Sequence, residues 1–205
     1  MRWRLCVFTV AISISFGNAA AGADALSDIR ERLGSNAVVC ADFTQSKSLK
    51  ALTRPLISKG KLIFVVRKGV LWQVREPFAA QVLVKSDALI KWDDKGVPQR
   101  VNFGQTPIFK ALSEVFLAVF AGDLDLLQKS FVVQSNLSKK KWQLTMIPKD
   151  QAFATIIKTV SVAGGQHVDE LVITEGRGDQ TEIQFTNMIT EICPLSDTEK
   201  RYFAH

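Results

Sequence analysis

From residue 38 onward, the chain consists of short stretches in which apolar and polar residues alternate, each bounded by polar turn residues. Residues 62–67 and 70–75, for example, are separated by Lys68 and Gly69. Because successive side chains of a strand point to opposite faces of a sheet, this pattern predicts half-buried antiparallel strands. The predicted strands are residues 38–47, 62–67, 70–75, 80–85, 88–92, 99–103, 131–135, 142–147, 155–163, 168–175 and 181–188.

The alternation also predicts which side chains share a face. One face is consistently apolar and the opposite one is mostly basic or polar, as in an antiparallel sheet with one side on the core. We predict that the apolar face carries Leu62, Phe64, Val66, Val70, Trp72, Val74, Val82, Val84, Ile90 and Trp92.

Two segments have helical rather than strand spacing. Residues 25–33 place Leu26, Ile29 and Leu33 on one side, and Gly34 can end that helix. Residues 107–122 form a second helix that is apolar nearly all round, which predicts a helix buried on several sides or facing a cavity. With no linker or repeat in the sequence, we predict a single α+β domain, a large antiparallel sheet with helices on one side.

The N-terminus has the order of a secretory signal peptide. Arg2 and Arg4 precede an apolar run over residues 5–16, and small residues follow up to Ala23. The apolar run of about 12 residues is shorter than the roughly 20 that span a bilayer. We therefore predict a cleaved signal peptide at residues 1–23 and an exported domain at residues 24–205, with an uncleaved anchor helix as the alternative.

Export bears on the cysteines. Cys6 leaves with the predicted signal peptide, so Cys40 and Cys193 remain. In an oxidising compartment an even pair predicts a structural disulfide. Two free, buried thiols are the alternative.

Basic residues are concentrated in one part of the chain. Residues 43–75 contain eight lysines and arginines and no acidic residue. Such a segment can meet anionic headgroups or an acidic partner, or the charges can simply be solvated outer faces of strands. We expect no nucleic-acid partner in an exported protein.

Residues that carry catalysis or bind metals are scarce. The two histidines, His167 and His205, have no metal-ligand spacing with other residues. The sequence contains neither a Gly-x-Ser-x-Gly motif nor a phosphate-binding loop. We therefore expect no enzyme activity, no catalytic residue, no metal site and no cofactor.

Several short motifs resemble the outer-membrane lipoprotein carrier protein (LolA) family. They are Phe43-Thr44-Gln45, Pro55-Leu56, Ser58-x-Gly60-x-Leu62, Gly69-Val70-Leu71-Trp72 with Pro77 downstream, Thr106-Pro107-Ile108 before the apolar helix, and residues 142–148 ending in a Pro-Lys turn. The resemblance covers most of the exported chain and is strongest to a divergent LolA-like branch.

The resemblance implies a strongly curved sheet, or incomplete barrel, whose concave apolar face is covered by helices. It further implies a monomeric periplasmic carrier that shields lipoprotein acyl chains or another lipid. An inner-membrane transporter would load the carrier and an outer-membrane receptor would unload it. The implied acyl-chain cavity is lined by Phe43, Leu62, Phe64, Val66, Trp72, Val74, Val82, Val84, Ile90, Trp92 and Trp142 from the sheet, and by Phe109, Leu112, Phe116 and Phe120 from the helix.

One departure from the family pattern affects a charged residue. The family has a functional arginine six residues before the strand tryptophan, and in this sequence Val66 stands there, with Arg67 one residue later. A bulge after Arg67 could restore its direction, so Arg67 is the candidate functional basic residue. The departure also admits cargo other than lipoproteins, such as glycolipids or polyene lipids.

Other functions are compatible with the same fold. A lipid-sensing regulatory module of the cell envelope would use a similar pocket together with a membrane-anchored partner protein. A small periplasmic enzyme acting on lipid-linked substrates is the third hypothesis. A core filled by its own aromatic side chains, with no cavity, is the structural alternative to all three.

Overall fold

A computed structural model describes residues 19–93, 95–103, 107–190 and 192–205. Most of the predicted signal peptide therefore lies outside the described residues. The strands are β1 (Val38–Ser48), β2 (Leu56–Val65), β3 (Gly69–Glu76), β4 (Ala80–Val84), β5 (Ala88–Trp92), β6 (Pro98–Asn102), β7 (Phe131–Leu137), β8 (Trp142–Pro148), β9 (Ile157–Gly164), β10 (Val168–Glu175) and β11 (Gln180–Ile189). The helices are α1 (Ala19–Leu33), α2 (Pro107–Ala121), α3 (Leu127–Ser130), α4 (Gln151–Ile156) and α5 (Asp197–Tyr202), and a 3₁₀ turn spans Leu124–Leu126.

All eleven strands form one antiparallel sheet with the order β6-β5-β4-β3-β2-β1-β11-β10-β9-β8-β7. The first and last strands are neighbours in the middle of the sheet, where Phe43 of β1 pairs with Phe185 of β11. Every other ladder joins strands that are consecutive in the chain. The sheet is curved and not closed, and helices accompany it, so the predicted α+β fold with a single curved sheet is confirmed.

The main core lies between the inner, concave face of the sheet and helices α1 and α2. The predicted stripe of α1 is confirmed, because Leu26, Ile29 and Leu33 all pack in this core. Gly34 follows α1 with a φ of +66°, a left-handed conformation that ends the helix at low steric cost. From α2, the buried residues Val115, Ala118, Val119 and Phe120 join the same core.

The outer face of the sheet carries a second, smaller core. Cys40, Ile63, Leu71, Leu83 and Ile90 lie on neighbouring strands and share this face. The C-terminal segment covers them, contributing Cys193, Leu195, Tyr202 and Phe203. The alternation in the sequence predicted one apolar face. Strands β1 to β5 are instead apolar on both faces, because the C-terminal segment packs against the outer one.

A disulfide joins this C-terminal segment to the sheet. Cys40 and Cys193 are bonded, with their Cα atoms 6.1 Å apart and 153 positions apart in the chain. The predicted pairing is therefore confirmed in the structure. It anchors the start of the covering segment to β1, and α5 then lies across the outer face of the strands that follow β1.

One partly buried carboxylate fixes α5 on the outer face. Lys61 Nζ donates to Glu199 Oε1 at 2.9 Å, and the backbone N–H of Ser196 donates to Glu199 Oε2 at 2.7 Å. The Ser196 side chain in turn accepts from the Glu199 N–H, which completes a capping box. Burial raises the pKa of Glu199, but the hydrogen bonds from Lys61 and Ser196 outweigh it and hold the pKa below the ordinary value.

Helices α4 and α5 were not predicted, and both are short. α4 (Gln151–Ile156) begins after Asp150, whose side chain accepts a hydrogen bond from the N–H of Phe153, and the predicted strand 155–163 starts two residues later, at Ile157. α5 lies in a segment for which no helix or strand was predicted. None of the described helices is both long and apolar enough to cross a membrane.

Candidate functional site

A cavity of about 240 Å³ lies between the inner face of the sheet and α2. Seven of its nine lining residues are apolar or aromatic, and none has an ionisable side chain. The lining residues are Gln45, Val70, Trp72, Val82, Val84, Phe116, Ile173, Thr181 and Ile183. The chemistry that these side chains offer is therefore shape and apolar contact, with one amide and one hydroxyl group as the polar exceptions.

Strands β3 and β4 supply one wall of the cavity through their alternation. Trp72 pairs with Val82, and Val70 pairs with Val84, so all four side chains share the inner face. The neighbouring residues Leu71 and Leu83 also pair, and their side chains point to the outer core. This wall therefore follows from the alternation of side chains between the two faces of β3 and β4.

The opposite wall comes from β10 and β11, which are distant in the sequence. Ile183 pairs with Gln45 of β1, and Thr181 pairs with both Lys47 of β1 and Ile173 of β10. Because β1 and β11 are adjacent and the sheet curves, the two walls face one another across the cavity. The polar atoms of Gln45 and Thr181 both lie on this wall.

Helix α2 covers the cavity with phenylalanine rings. The ring of Phe116 lies 5.8 Å from that of Trp72 in an edge-to-face arrangement and 6.4 Å from that of Phe120. Phe120 continues the series toward Phe64, at 6.3 Å, and Phe185, at 5.7 Å. These are distances at which aromatic pairs attract one another. The helix is therefore held to the sheet mainly by apolar side chains.

The ring of Trp72, which lines the cavity, stacks on the ring of Phe43. The two rings are stacked with centroids 3.9 Å apart. Phe43 pairs across the strands with Gly60, and a Cβ at Gly60 would lie 2.8 Å from the Phe43 ring and 1.9 Å from the carbonyl oxygen of Gln73. Only glycine leaves room for this close approach, so Gly60 fixes the ring of Phe43 and, through it, the position of Trp72.

Residues 18–192 match the family described as outer membrane lipoprotein carrier protein LolA-like. The chain belongs to this family. No match was found among curated proteins.

Solved structures with a similar fold include a LolA superfamily protein from Nitrosomonas europaea. It is 10% identical over 84% of this chain and 94% of that chain, with a TM-score of 0.48. The Mycobacterium tuberculosis lipoprotein LppX is 8% identical over 87% of this chain and 100% of that chain, with a TM-score of 0.44.

The predicted site residues of this LolA-like chain fall into five groups. Trp72, Val82, Val84 and Phe116 line the cavity. A second group lies on the same side but is packed in the core next to the cavity or further along the sheet, and comprises Phe43, Leu62, Phe64, Val74, Phe120 and Trp142. Trp142, for example, is buried, and its indole N–H donates to the carbonyl oxygen of Gly165 at 2.9 Å.

The third group, Ile90 and Trp92, was assigned to the wrong face. Leu83 pairs with Ile90, so Ile90 belongs to the outer core, and Trp92 stacks edge to face on Tyr202 of the covering segment at 4.6 Å. The physical reason is the tight turn between β4 and β5. Lys85 N–H donates to the carbonyl oxygen of Ala88, which makes a two-residue hairpin that pairs odd with even positions.

Val66 and Arg67 are the other correction. β2 ends at Val65, and both residues lie exposed in the turn to β3, with Arg67 at a φ of +62°. Val66 therefore does not line the cavity, and no bulge directs Arg67 into it. The fifth group consists of Phe109 and Leu112, whose side chains lie outside the described part of the chain.

Five lining residues were absent from the predicted site: Gln45, Val70, Ile173, Thr181 and Ile183. Val70 was assigned to the inner face but not to the pocket. Gln45 was part of a quoted family motif and lies two positions after Phe43, on the same face. The three residues from β10 and β11 lie in predicted strands, but only the pairing of β1 with β11 brings them to the cavity, and a single sequence does not reveal that pairing.

Proposed function

We propose that this protein is a periplasmic carrier that binds acyl chains of lipoproteins or of another lipid in the 240 Å³ cavity and moves them between the inner and outer membranes. The observation that supports it best is the lining: two walls of one curved sheet and a covering helix present apolar side chains, and the rings of Trp72 and Phe116 meet at the border of the cavity. Membership of the LolA-like family supports the same function.

Burial of methylene groups supplies the binding energy. Taking about 30 Å³ for each water-sized group, the cavity accommodates about eight methylenes. Each buried methylene gains about 0.8 kcal/mol, so the gross contribution is about 6 kcal/mol before the cost of ordering the chain. No bond has to be broken for release, because a receiver that shields the chain equally well competes for it.

We also propose a location and partners for the protein. The charged, apolar and small-residue order of the N-terminus and the Cys40–Cys193 disulfide both favour an exported, oxidised protein. An inner-membrane transporter would load the carrier, and an outer-membrane receptor would unload it. We expect a monomer without enzymatic activity. The lipid-sensing module remains the alternative.

The test is mass spectrometry of organic extracts from the protein purified gently from the periplasm, followed by titration of the delipidated protein with a fluorescent fatty acid. Phe116→Asp would place a charge against Trp72 and should abolish probe binding while the far-ultraviolet circular dichroism of the sheet is unchanged. Lys110→Asp introduces a carboxylate on the exposed side of the same helix and should bind like the wild type.

A stoichiometric lipid in the extract would support the carrier and identify its cargo class. An empty protein that also fails to bind the probe would refute the carrier function. If Phe116→Asp unfolds, Val82→Phe replaces it, since that variant fills the cavity without burying a charge.

A further inference from the structure

The loops at one end of the sheet form a surface that lies outside the lining of the cavity. We call it the loop rim and define it as the β1–β2 loop (residues 49–55) with the first two residues of β2, the β3–β4 turn (residues 77–79) and the β10–β11 turn (residues 176–179). The Lys50 N–H donates to Asp179 Oδ1 at 2.9 Å, which joins the first and third of these loops. Lys59 pairs with Glu76, which places the β3–β4 turn at the same end.

Large apolar side chains project from this rim into solvent. Phe78 is 83% exposed at the tip of the β3–β4 turn, and Leu52, Leu56 and Ile57 are each about half exposed, at 48%, 53% and 46%. Isolated exposed apolar residues are ordinary on a protein surface, but a group of them on adjoining loops marks an interaction site. They stand at loop tips and a strand start rather than in a groove, a shape suited to insertion into a soft apolar layer.

The charges of the rim are mainly positive. Residues 47–59 contain Lys47, Lys50, Arg54 and Lys59 and no acidic residue. Among the acids at this end, Glu76 stands opposite Lys59 in the β2–β3 ladder, Glu175 is paired with Lys47 at 3.2 Å, and Asp179 accepts the hydrogen bond from the Lys50 backbone. Within the described residues, Lys50, Arg54, Lys59 and Arg177 have no ion-pair partner.

The rim also borders the cavity. Lys47 pairs with Leu56 on one side and with Thr181 on the other, and Thr181 lines the cavity. The apolar residue Leu56 is therefore on the inner face. Its pair with Lys47 is the next inward-facing pair after Gln45–Ser58 at the cavity wall. An acyl chain that leaves the cavity at this end meets exposed apolar side chains before it meets open water.

We infer that the loop rim docks on the surface of an anionic lipid bilayer, with Phe78, Leu52 and Leu56 entering the headgroup–acyl boundary and Arg54 and Lys59 contacting the headgroups. Interleaved apolar and basic residues are what a reversible membrane-surface contact requires, since either component alone binds only weakly. The purpose of this contact rests on the proposed carrier function, because it would bring the cavity mouth to the membrane that supplies or receives the chain.

The test is co-sedimentation with vesicles of equimolar phosphatidylglycerol and phosphatidylcholine, compared with vesicles of phosphatidylcholine alone. All proteins are expressed from the full sequence, so N-terminal processing is the same in each. Phe78→Ser should weaken binding to the anionic vesicles by about tenfold, since burial of one large aromatic side chain has about that effect. Arg54→Gln/Lys59→Gln should lower the preference for the anionic vesicles and its salt dependence by about half, since Lys50 and Arg177 remain.

Ile192→Ser is the matched control. Ile192 is 82% exposed, close to the value for Phe78, but it follows β11 at the opposite end of the sheet. This variant should bind vesicles like the wild type. Equal losses for Phe78→Ser and Ile192→Ser would overturn the inference, as would a wild type that does not sediment with anionic vesicles, which would leave the rim as a surface for a protein partner.

Binding of the fluorescent fatty acid by Phe78→Ser, in the absence of vesicles, separates this inference from the carrier function. We expect that variant to retain the wild-type affinity, because Phe78 does not line the cavity. If no protein binds the probe but vesicle binding still depends on Phe78, the carrier function fails and the membrane-docking rim stands.

Discussion

Filling the cavity from the sheet side tests the site without disturbing its surroundings. Val82 lines the cavity from β4, between Trp72 of β3 and Lys91 of β5. Val82→Phe adds about four non-hydrogen atoms, which would occupy the space of about four methylenes of a bound chain, half of what the cavity holds. At about 0.8 kcal/mol for each methylene, the lost transfer energy is about 3 kcal/mol, or roughly a two-hundred-fold weaker affinity.

Stability is the second quantity that this variant measures. Enlarging a side chain in a filled core costs typically about 1–3 kcal/mol, whereas a phenylalanine that enters empty apolar space should leave the free energy of unfolding unchanged or raise it. The assay is therefore displacement of a fluorescent fatty acid together with urea denaturation of the same preparation. Val101→Phe makes the same change on edge strand β6, outside the cavity, and should alter neither quantity by much.

Two results would refute the reasoning. If Val82→Phe binds the probe with wild-type affinity, the chain binds elsewhere and the cavity is not the site. If it is destabilised by as much as an overpacked core residue, the cavity lined by Trp72 and Phe116 is not open in solution, and the interior is the filled aromatic core that the sequence left as an alternative.

The outer face provides two further predictions. Cys40→Ser/Cys193→Ser should lower the free energy of unfolding by about 2–5 kcal/mol, since the disulfide closes a long loop. Proteolysis of this variant should begin in the C-terminal segment. A stability like that of the wild type would show that the segment stays on the sheet without the bond. Glu199→Gln should cost about 1–2 kcal/mol at neutral pH, because Lys61 loses its charged partner. Since the pKa of Glu199 is lowered in the folded state, its contribution to the free energy of unfolding is complete above the ordinary pKa of 4.5. This contribution is lost as the pH falls through the folded pKa. Urea denaturation of the wild type, but not of the variant, should show this loss.

The sequence predicted most strands because each carries its own signal of alternation and turn residues. The predicted strand at residues 88–92 coincides with β5, and that at residues 168–175 coincides with β10. The alternation failed for β2, which begins at Leu56 rather than residue 62, because Ser58, Lys59, Gly60 and Lys61 carry no apolar period. That part of β2 is held by its pairing with β1, and such pairing is a property of the tertiary fold.

The faces were harder to predict than the strands. Alternation within β5 is clear, but which of its two sets of side chains points inward depends on the hairpin before it, and a shift of one residue exchanges them. Ile90 and Trp92 were therefore assigned to the inner face because they are apolar, although the outer face is also apolar at β5. The cause is the C-terminal segment, and only the Cys40–Cys193 pair pointed to its return to the sheet.

The size of the cavity has a consequence for binding. The cavity accommodates about eight methylenes, which is fewer than the roughly fourteen carbons of a myristoyl chain. The walls from β3, β4, β10 and β11 are joined by continuous backbone ladders, whereas α2 contacts the sheet through side chains such as Phe116 and Phe120. We therefore expect α2, rather than the sheet, to move when a full-length chain enters.

Hydrogen exchange of the delipidated and the loaded protein measures this directly. Amides of α2 should change their exchange rates on loading, because the packing of Phe116 on Trp72 must be replaced by contacts with the acyl chain, while the amides of β1 and β2 should stay protected in both states. Faster exchange in the β1–β11 ladder on loading would contradict this expectation, since it would mean that the sheet itself opens between its first and last strands. The chain would then enter through the middle of the sheet, and α2 would be a fixed part of the core rather than the element that admits the ligand.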